Sequence, residues 1–531
     1  MLRNSNYVYG DRSLSVPADL NFGSYIIDAI WKHGDKTAMT NCATNQSLSY
    51  RAMAVDAMNL SISLTERGVK RGDVIAISSE NRMEYFSTLL GICCTGATVT
   101  TTNPTYTKGE HKYVLDISKP KLVFCSPYAY KAHGKLFHSL PYIKSVVVYG
   151  ERIPNTLSYE DLIRGNGVIT PENFMAKDVE GQNDAAIVLY SSGTTGLPKG
   201  VMLTHLNVIV TCLVAPSVDP NELTLYITPW YHTMGLIASL RVFSKGNVML
   251  FLPKFECDQY LRTIENYKVG QLVVAPPVLV ALSKYSAKYD VSSVVAAFSG
   301  AAPLKKETID AAKKRFPNLK HVFQGYGMTE TTFSVIRDTY DSAHLSKTGG
   351  AGTVAACVVI KIVDIETRRP LGPNCRGEIC VKGAPIMRGY VGRDRGDDFD
   401  DEGFFKTGDI GYYDDDKYFF VVDRLKELIK YKGYQVPPAE IEAVLTQHPD
   451  ILEAGVVGVP HEGGEAPLAF VARRPGSNLT VEEVKSYVAE KLSNPKHLRG
   501  GVRFVEDIPK NSSGKILRKK LREMLKNKSK L

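Results

Sequence analysis

The chain has 531 residues, well beyond the roughly 250–300 at which a single hydrophobic core stops growing, so two or more domains are expected. Its 44% hydrophobic and 23% charged residues form an ordinary globular mix and exclude a disordered or fibrous protein. The net charge of +9 is gathered at one end, where eight lysines and arginines from Asn511 onward face a single acid, Glu523; the body is nearly neutral, and no nucleic-acid groove is expected.

The N-terminal residues Met1-Leu2-Arg3-Asn4-Ser5 lack the apolar run of a signal peptide. No stretch reaches the ~18 apolar residues of a membrane span, and the longest candidate, Leu272 to Leu282, is broken by Pro276-Pro277. Nine scattered cysteines without a C-x-x-C pair fit neither a disulfide framework nor a zinc site and point to a reducing compartment. From about residue 20 to 360, β-branched runs such as Asp73-Val74-Ile75-Ala76-Ile77, Lys121-Leu122-Val123-Phe124 and Ser145-Val146-Val147-Val148 alternate with helix-like stretches. That alternation predicts an α/β domain with largely parallel sheets.

Within this region the apolar run Ala185 to Leu189 leads into Tyr190-Ser191-Ser192-Gly193-Thr194-Thr195-Gly196-Leu197-Pro198-Lys199-Gly200. A strand entering a loop of small residues, hydroxyls and one lysine can aim N–H groups, hydroxyls and a cation at phosphate oxygens. It is not a Walker loop, because Pro198 stands where that pattern needs glycine before the lysine. Further on, Pro229-Trp230-Tyr231-His232-Thr233-Met234-Gly235 holds a histidine that alone reads as a structural residue, and Gly325-Tyr326-Gly327 alone fits a strand turn as well as a nucleotide site.

Between Cys357 and Phe420, glycines and prolines punctuate short strands, predicting a β-rich, barrel-like subdomain. The charged segment Asp423-Arg424-Leu425-Lys426-Glu427 then marks a boundary: residues 1–422 form a large N-terminal domain, 423–427 a hinge and 428–531 a small, mobile α+β domain. In that domain Pro437-Pro438 opens a helix, and Leu517, Leu521, Met524 and Leu525 recur at helical spacing beneath a solvated basic face. The last three residues, Ser529-Lys530-Leu531, form the tripeptide read by the peroxisomal import receptor, so a peroxisomal location is expected.

The loop at 190–200 resembles the phosphate loop of the adenylate-forming superfamily of acyl-CoA synthetases and beetle luciferases. Six further segments agree in order: Ser299-Gly300-Ala301-Ala302-Pro303, Gln324 to Glu330, Lys406-Thr407-Gly408-Asp409, Asp423 to Lys426, Lys430 to Val436, and Pro509 to Lys515. The resemblance spans nearly the whole chain and is strongest to the luciferase-like and coumarate-ligase-like branch. It implies ATP, Mg²⁺ and coenzyme A as reactants or cofactors and a small-molecule carboxylic acid as substrate. Ser191, Ser192, Gly193, Thr194, Thr195, Gly196 and Lys199 would hold phosphates, and Ala301, Ala302, Gly325, Tyr326, Gly327, Met328 and Thr329 would frame the nucleotide, with Tyr326 on adenine. By the same resemblance Glu330 holds Mg²⁺, Asp409 and Arg424 take the ribose or phosphate, and His232 stands at the acyl entrance. Lys515 would serve adenylation and Lys432 thioester formation, after rotation of the small domain about Lys426.

At the acyl pocket the chain departs from beetle luciferases. Phe333 replaces a serine, Thr211 an arginine, and Met234 an aromatic residue. Bulk in place of a hydroxyl and a cation suits an apolar acyl chain, so a medium- to long-chain fatty acid is the expected substrate, with luciferin oxygenation as the alternative.

Overall fold

The computed structural model describes residues 5–10, 14–165, 167–191, 197–214, 223–300, 304, 306–431, 434–462, 464–510 and 515–527. The alternating N-terminal pattern folds into two large mixed sheets. In the first, an eight-stranded sheet, Ala185–Ser191, Thr98–Thr102, Val74–Ser78, Leu122–Cys125, Ser145–Val148 and Leu157–Ser158 run parallel in that order. Lys199–Thr204 turns back antiparallel onto Ala185–Ser191, and Gly389–Tyr390 pairs outside it. In the second, a nine-stranded sheet, the parallel strands include Met249–Phe251, Thr224–Tyr226, Gln271–Val274, Ala296–Ser299 and His321–Gly327.

The strand sequences explain the topology. Val74–Ser78 and Thr98–Thr102 are buried almost throughout, as strands covered on both faces must be, and their runs are continuous rather than alternating. Every residue of the helix Tyr85–Cys94 is buried, because it is apolar apart from Ser87 and Thr88 and packs against Phe22–Trp31 and Tyr50–Glu66. The Phe86 ring lies tilted 4.6 Å from Trp230, which lies 4.8 Å from Phe251, so one aromatic chain links this helix to the second sheet. The loop bearing His232 therefore grows from the middle of the core.

The β-rich region is a six-stranded antiparallel sheet, with Tyr7–Tyr9, Val358–Val363, Gly377–Gly383, Phe405–Tyr413 and Phe419–Arg424 along its path. Among the described residues its ladder does not close into a ring: Tyr7–Tyr9 and Phe419–Arg424 are its two edges. After Arg424 the chain makes one 3₁₀ turn, Leu425–Glu427, and enters a five-stranded sheet built on the hairpin Ile451–His461 and Gly464–Arg473. Helices Pro438–Leu445 and Val481–Lys491 pack on it around a core that includes Val456, Val471 and Val488, while Arg518–Asn527 packs on a second cluster that includes Val457, Leu468 and Phe470. The basic terminal helix buries Leu521 completely and sends Arg522 to Glu427 at 2.9 Å. Among the described residues no helix is long and apolar enough to cross a membrane, and all nine cysteines are free.

Candidate active site

A cleft of about 2480 Å³ opens where the two parallel sheets, the six-stranded sheet and the C-terminal segment meet. Its volume exceeds the roughly 300–1,000 Å³ of a single small-ligand pocket, enough for more than one substrate. Lys199 enters it from the first position of its strand, paired across the hairpin with Ser191. Antiparallel pairing of Gly389–Tyr390 with Val201–Met202 then sets the Lys199 ammonium 4.4 Å from the Tyr390 ring. Burial holds the proton affinity of Lys199 below that of a free lysine, and the charge of Arg393 adds to the effect.

The Tyr390 hydroxyl donates to Oε1 of Glu330 at 2.8 Å, across 60 residues of sequence. Glu330 sits in the short 3₁₀ turn Thr329–Thr331 and is 7% exposed. Thr332 follows in the left-handed region at φ +61°, a costly conformation for a β-branched residue, and is held there by its hydroxyl on the carbonyl of Pro385. Gly327 permits the approach of this turn: a Cβ there would lie 2.3 Å from the carbonyl oxygen of Phe333. No cluster of three metal-ligating side chains occurs among the described residues. One carboxylate with Oε2 left over by Tyr390 nevertheless fits a Mg²⁺ ion, which is commonly held by one or two carboxylates together with substrate phosphates and water.

The second constellation centres on Asp409. Register pairs it directly with Arg424 on the neighbouring strand, and the guanidinium Nε reaches Oδ1 at 3.1 Å. Tyr326 donates its hydroxyl to Oδ2 at 2.8 Å. Asp409 is 4% exposed; burial raises its pKa, while Arg424, Tyr326 and the ammonium of Lys515 pull the other way. Lys515 arrives from the C-terminal segment, and burial together with Arg424 brings its pKa down to about 8. Gly325, Gly327, Met328, Thr329 and Lys426 line the same cleft. One cavity thus gathers Lys199, Glu330, Tyr326, Asp409, Arg424 and Lys515 from positions more than 300 residues apart.

Towards the other end, His232 caps the helix Thr233–Ser244, and its ring lies 4.7 Å from that of Tyr231. Burial lowers its pKa to about 4, so the imidazole is neutral near pH 7 and suited to orienting a bound group by hydrogen bonding. Met234 and Phe333 line the cleft. Thr211 does not: it is 3% exposed inside the helix His205–Leu213, where its hydroxyl donates to the carbonyl of Asn207 at 2.7 Å. Its assignment to the acyl pocket is therefore corrected. Arg241 and Arg337 both line the cleft, the former 4.7 Å from the Phe333 ring, so the wall carries cations although an arginine is absent at position 211.

Sequence reasoning missed Tyr390, Arg241 and Arg337. For the arginines, the available signal was a cation at the end of an otherwise apolar run, Leu236 to Val242 and Val335-Ile336-Arg337. Ser192, Gly193, Thr194, Thr195, Gly196, Ala301, Ala302, Lys432 and Ser529-Lys530-Leu531 lie outside the described residues.

Comparison with known proteins supplies the frame for this geometry. The AMP-binding enzyme family matches residues 28–391, and the AMP-binding enzyme C-terminal domain matches residues 440–515. The chain is 40% identical over 508 residues to a luciferin 4-monooxygenase of Nipponoluciola cruciata, covering 92% of this chain and 91% of that protein. It is 38% identical over 528 residues to 4-coumarate–CoA ligase 1 of Petroselinum crispum, covering 96% and 94%. Among solved structures, ATP-bound MatB from Rhodopseudomonas palustris superposes with a TM-score of 0.84 at 28% identity, covering 95% of this chain and 99% of that one.

Proposed function

The chain belongs to the AMP-binding enzyme family, and from that premise we propose that it activates a carboxylic acid with ATP and transfers the acyl group to the thiol of coenzyme A. In the first step a carboxylate oxygen attacks the α-phosphorus and pyrophosphate leaves. In the second the thiol attacks the acyl carbonyl, its proton is lost to solvent or base, and AMP leaves. The observation that carries this reading is the convergence of Asp409, Tyr326, Arg424 and Lys515 in one part of the cleft.

Each residue has a task that its surroundings support. Asp409 presents carboxylate oxygens that can accept from two ribose hydroxyls, with Arg424 and Tyr326 fixing its orientation. Lys199 faces the phosphates across Tyr390, and Glu330 would hold Mg²⁺, which screens phosphate charge when bound. Lys515 approaches where carboxylate and α-phosphate would meet, and His232 orients the acyl group without changing charge. Lys432 remains our assignment for the thioester step, reached by rotation about Lys426.

A panel of acids from acetate to arachidate, with hydroxycinnamates, tests the reading by AMP release with and without coenzyme A. CoA-dependent AMP and thioester formation is expected; no AMP release with any acid would overturn it. The similarity to a luciferin 4-monooxygenase favours a second reading, luciferin adenylation followed by oxygenation. With luciferin, ATP and O₂ we expect darkness or weak emission, since Phe333 under Arg241 leaves no small hydroxyl at that wall. Emission as bright as a beetle luciferase would reverse the order.

We also propose a peroxisomal location through Ser529-Lys530-Leu531. A fluorescent protein fused ahead of the full chain should become punctate with peroxisomal markers, and removal of Leu531 should leave it cytosolic. Punctate import persisting without Leu531 would refute the assignment.

A further inference from the structure

We infer that the acid activated here carries a second carboxylate at the end remote from the reacting one, held by the guanidinium groups of Arg241 and Arg337; this makes the substrate a dicarboxylic acid. The inference rests on the reading of the cleft as an acid-activating site and narrows its substrate class.

The helix Thr233–Ser244 presents two faces. Leu236, Ile237, Leu240 and Phe243 form its buried face, whereas Met234, Ala238 and Arg241 line the cleft at helical spacing. One stripe of this helix is therefore a wall of the acyl channel, starting at His232 and ending in a cation. The helical rise carries Arg241 about 13 Å along the axis from His232. Arg337 arrives from the second sheet, at the end of Ser334–Arg337 and directly opposite Gly325 in the ladder, and lines the same cleft.

Neither arginine has a carboxylate partner among the described residues. Arg337 donates to the carbonyl of Val214, and Arg241 packs on the Phe333 ring. These contacts hold the side chains in place but supply no negative charge. Asp338, next to Arg337 in sequence, is already committed, accepting from the Tyr418 hydroxyl at 2.8 Å and from the backbone N–H of Gln324 at 3.3 Å. Burial lowers the proton affinity of both arginines, to about 10 for Arg241 and about 9 for Arg337, and Arg241 adds a like charge against Arg337. Both remain cationic at neutral pH. Two half-buried cations lining one cavity are costly unless an anion joins them, and planar guanidinium groups match a carboxylate in shape as well as charge. A plain fatty acid would leave that cost standing, because its methyl end offers nothing to either group.

The experiment measures AMP release and thioester formation by the full chain with dicarboxylic acids from succinic to hexadecanedioic, their monomethyl esters, and monocarboxylic acids of equal length. At the best-fitting length the diacid should exceed its monoester in kcat/KM by about 10- to 100-fold, as expected for charge-assisted hydrogen bonds lost in a desolvated site. Arg241→Met and Arg337→Met should each cut that ratio, and the double substitution should bring it to one or below while improving lauric acid. Melting temperature and binding of an ATP analogue show whether the variants fold. A wild-type enzyme that handles every diacid no better than its monoester would overturn the inference while leaving acid activation intact. Absence of AMP release with all acids would instead remove the activation reading beneath it. Asp219 and Glu222, outside the described residues, are the chain's own candidate counter-ions. If Asp219→Asn with Glu222→Gln creates a diacid preference that wild type lacks, the charge is neutralised internally and the inference fails.

Discussion

Replacing Lys515 by alanine should slow acyl-adenylate formation by roughly 10²–10³-fold, the loss typical when one charge-stabilising donor is removed from a dry site. The ammonium lines the same cleft as the buried Asp409 and its partner Arg424, close enough to act on the charge of both. Pyrophosphate exchange should therefore collapse in Lys515→Ala. Conversion of supplied acyl-adenylate to thioester should survive, because attack by the thiol develops its charge at the acyl carbonyl, after pyrophosphate has gone. Lys432→Ala should show the converse profile, forming adenylate and stalling with coenzyme A. The lowered proton affinity adds a pH signature. With a pKa of about 8 in the free enzyme, Lys515 is protonated below that value and loses its charge above it, so kcat/KM for adenylation should fall as pH rises through about 8. Bound ATP favours the ammonium, which moves the same limb upward in kcat. Lys515→Arg should abolish the limb, since a guanidinium stays charged. Equal loss of both half-reactions in Lys515→Ala and Lys432→Ala would remove support for separate roles.

Much of this site was legible because its chemistry is written in short segments. The apolar run before Ser191 reads as a strand and the small-residue segment after it as a loop that carries Lys199; the fold sets that lysine at the start of the returning strand, opposite Ser191. Asp409 and Arg424 are assigned to the nucleotide only by resemblance, since each taken singly fits a turn or surface residue, and the antiparallel register of their two strands is what makes them a pair. Tyr390 carries no local signal, since its value lies in a hydroxyl aimed at Glu330 by a two-residue strand at the edge of another sheet. Thr211 was misplaced for a related reason. Alignment gives a position along a helix, whereas membership of a pocket depends on which side of the helix faces it, and this side faces the core. Arg241 fails in the opposite direction: within Leu240-Arg241-Val242 it looks like a cation at a helix end, yet the cleft lies on that side.

Arg518→Met should destabilise the C-terminal domain by about 3–5 kcal/mol, the range found when one partner of a buried ion pair is removed and the other is left uncompensated. The guanidinium Nη2 lies 2.8 and 2.9 Å from the two oxygens of Glu442, and Nε donates to the carbonyl of Val456 at 3.2 Å. Glu442 also accepts from the backbone N–H of Val456 at 2.8 Å, so the pair joins the helix Pro438–Leu445, the strand Ile451–His461 and the start of the terminal helix. Both side chains are nearly buried, at 10% and 11% exposure, and solvent screening is weak. Lys515 lies three residues before Arg518, so the same substitution should loosen its approach to Asp409 and reduce adenylation as a positioning effect. The profile differs from that of Lys515→Ala. Chemical denaturation should show an early transition of the small domain, and thioester formation should decline together with adenylation. Adding Glu442→Gln, which removes the stranded charge and keeps an acceptor for Val456, should recover most of the stability. The pH dependence has a fixed sign. Burial already raises the pKa of Glu442, and losing Arg518 raises it further, so the native variant binds more protons than its unfolded chain and gains stability as pH falls. The deficit against wild type should therefore shrink under mildly acidic conditions; a deficit independent of pH, or one left untouched by Glu442→Gln, would mean that lost packing by the arginine stem dominates instead.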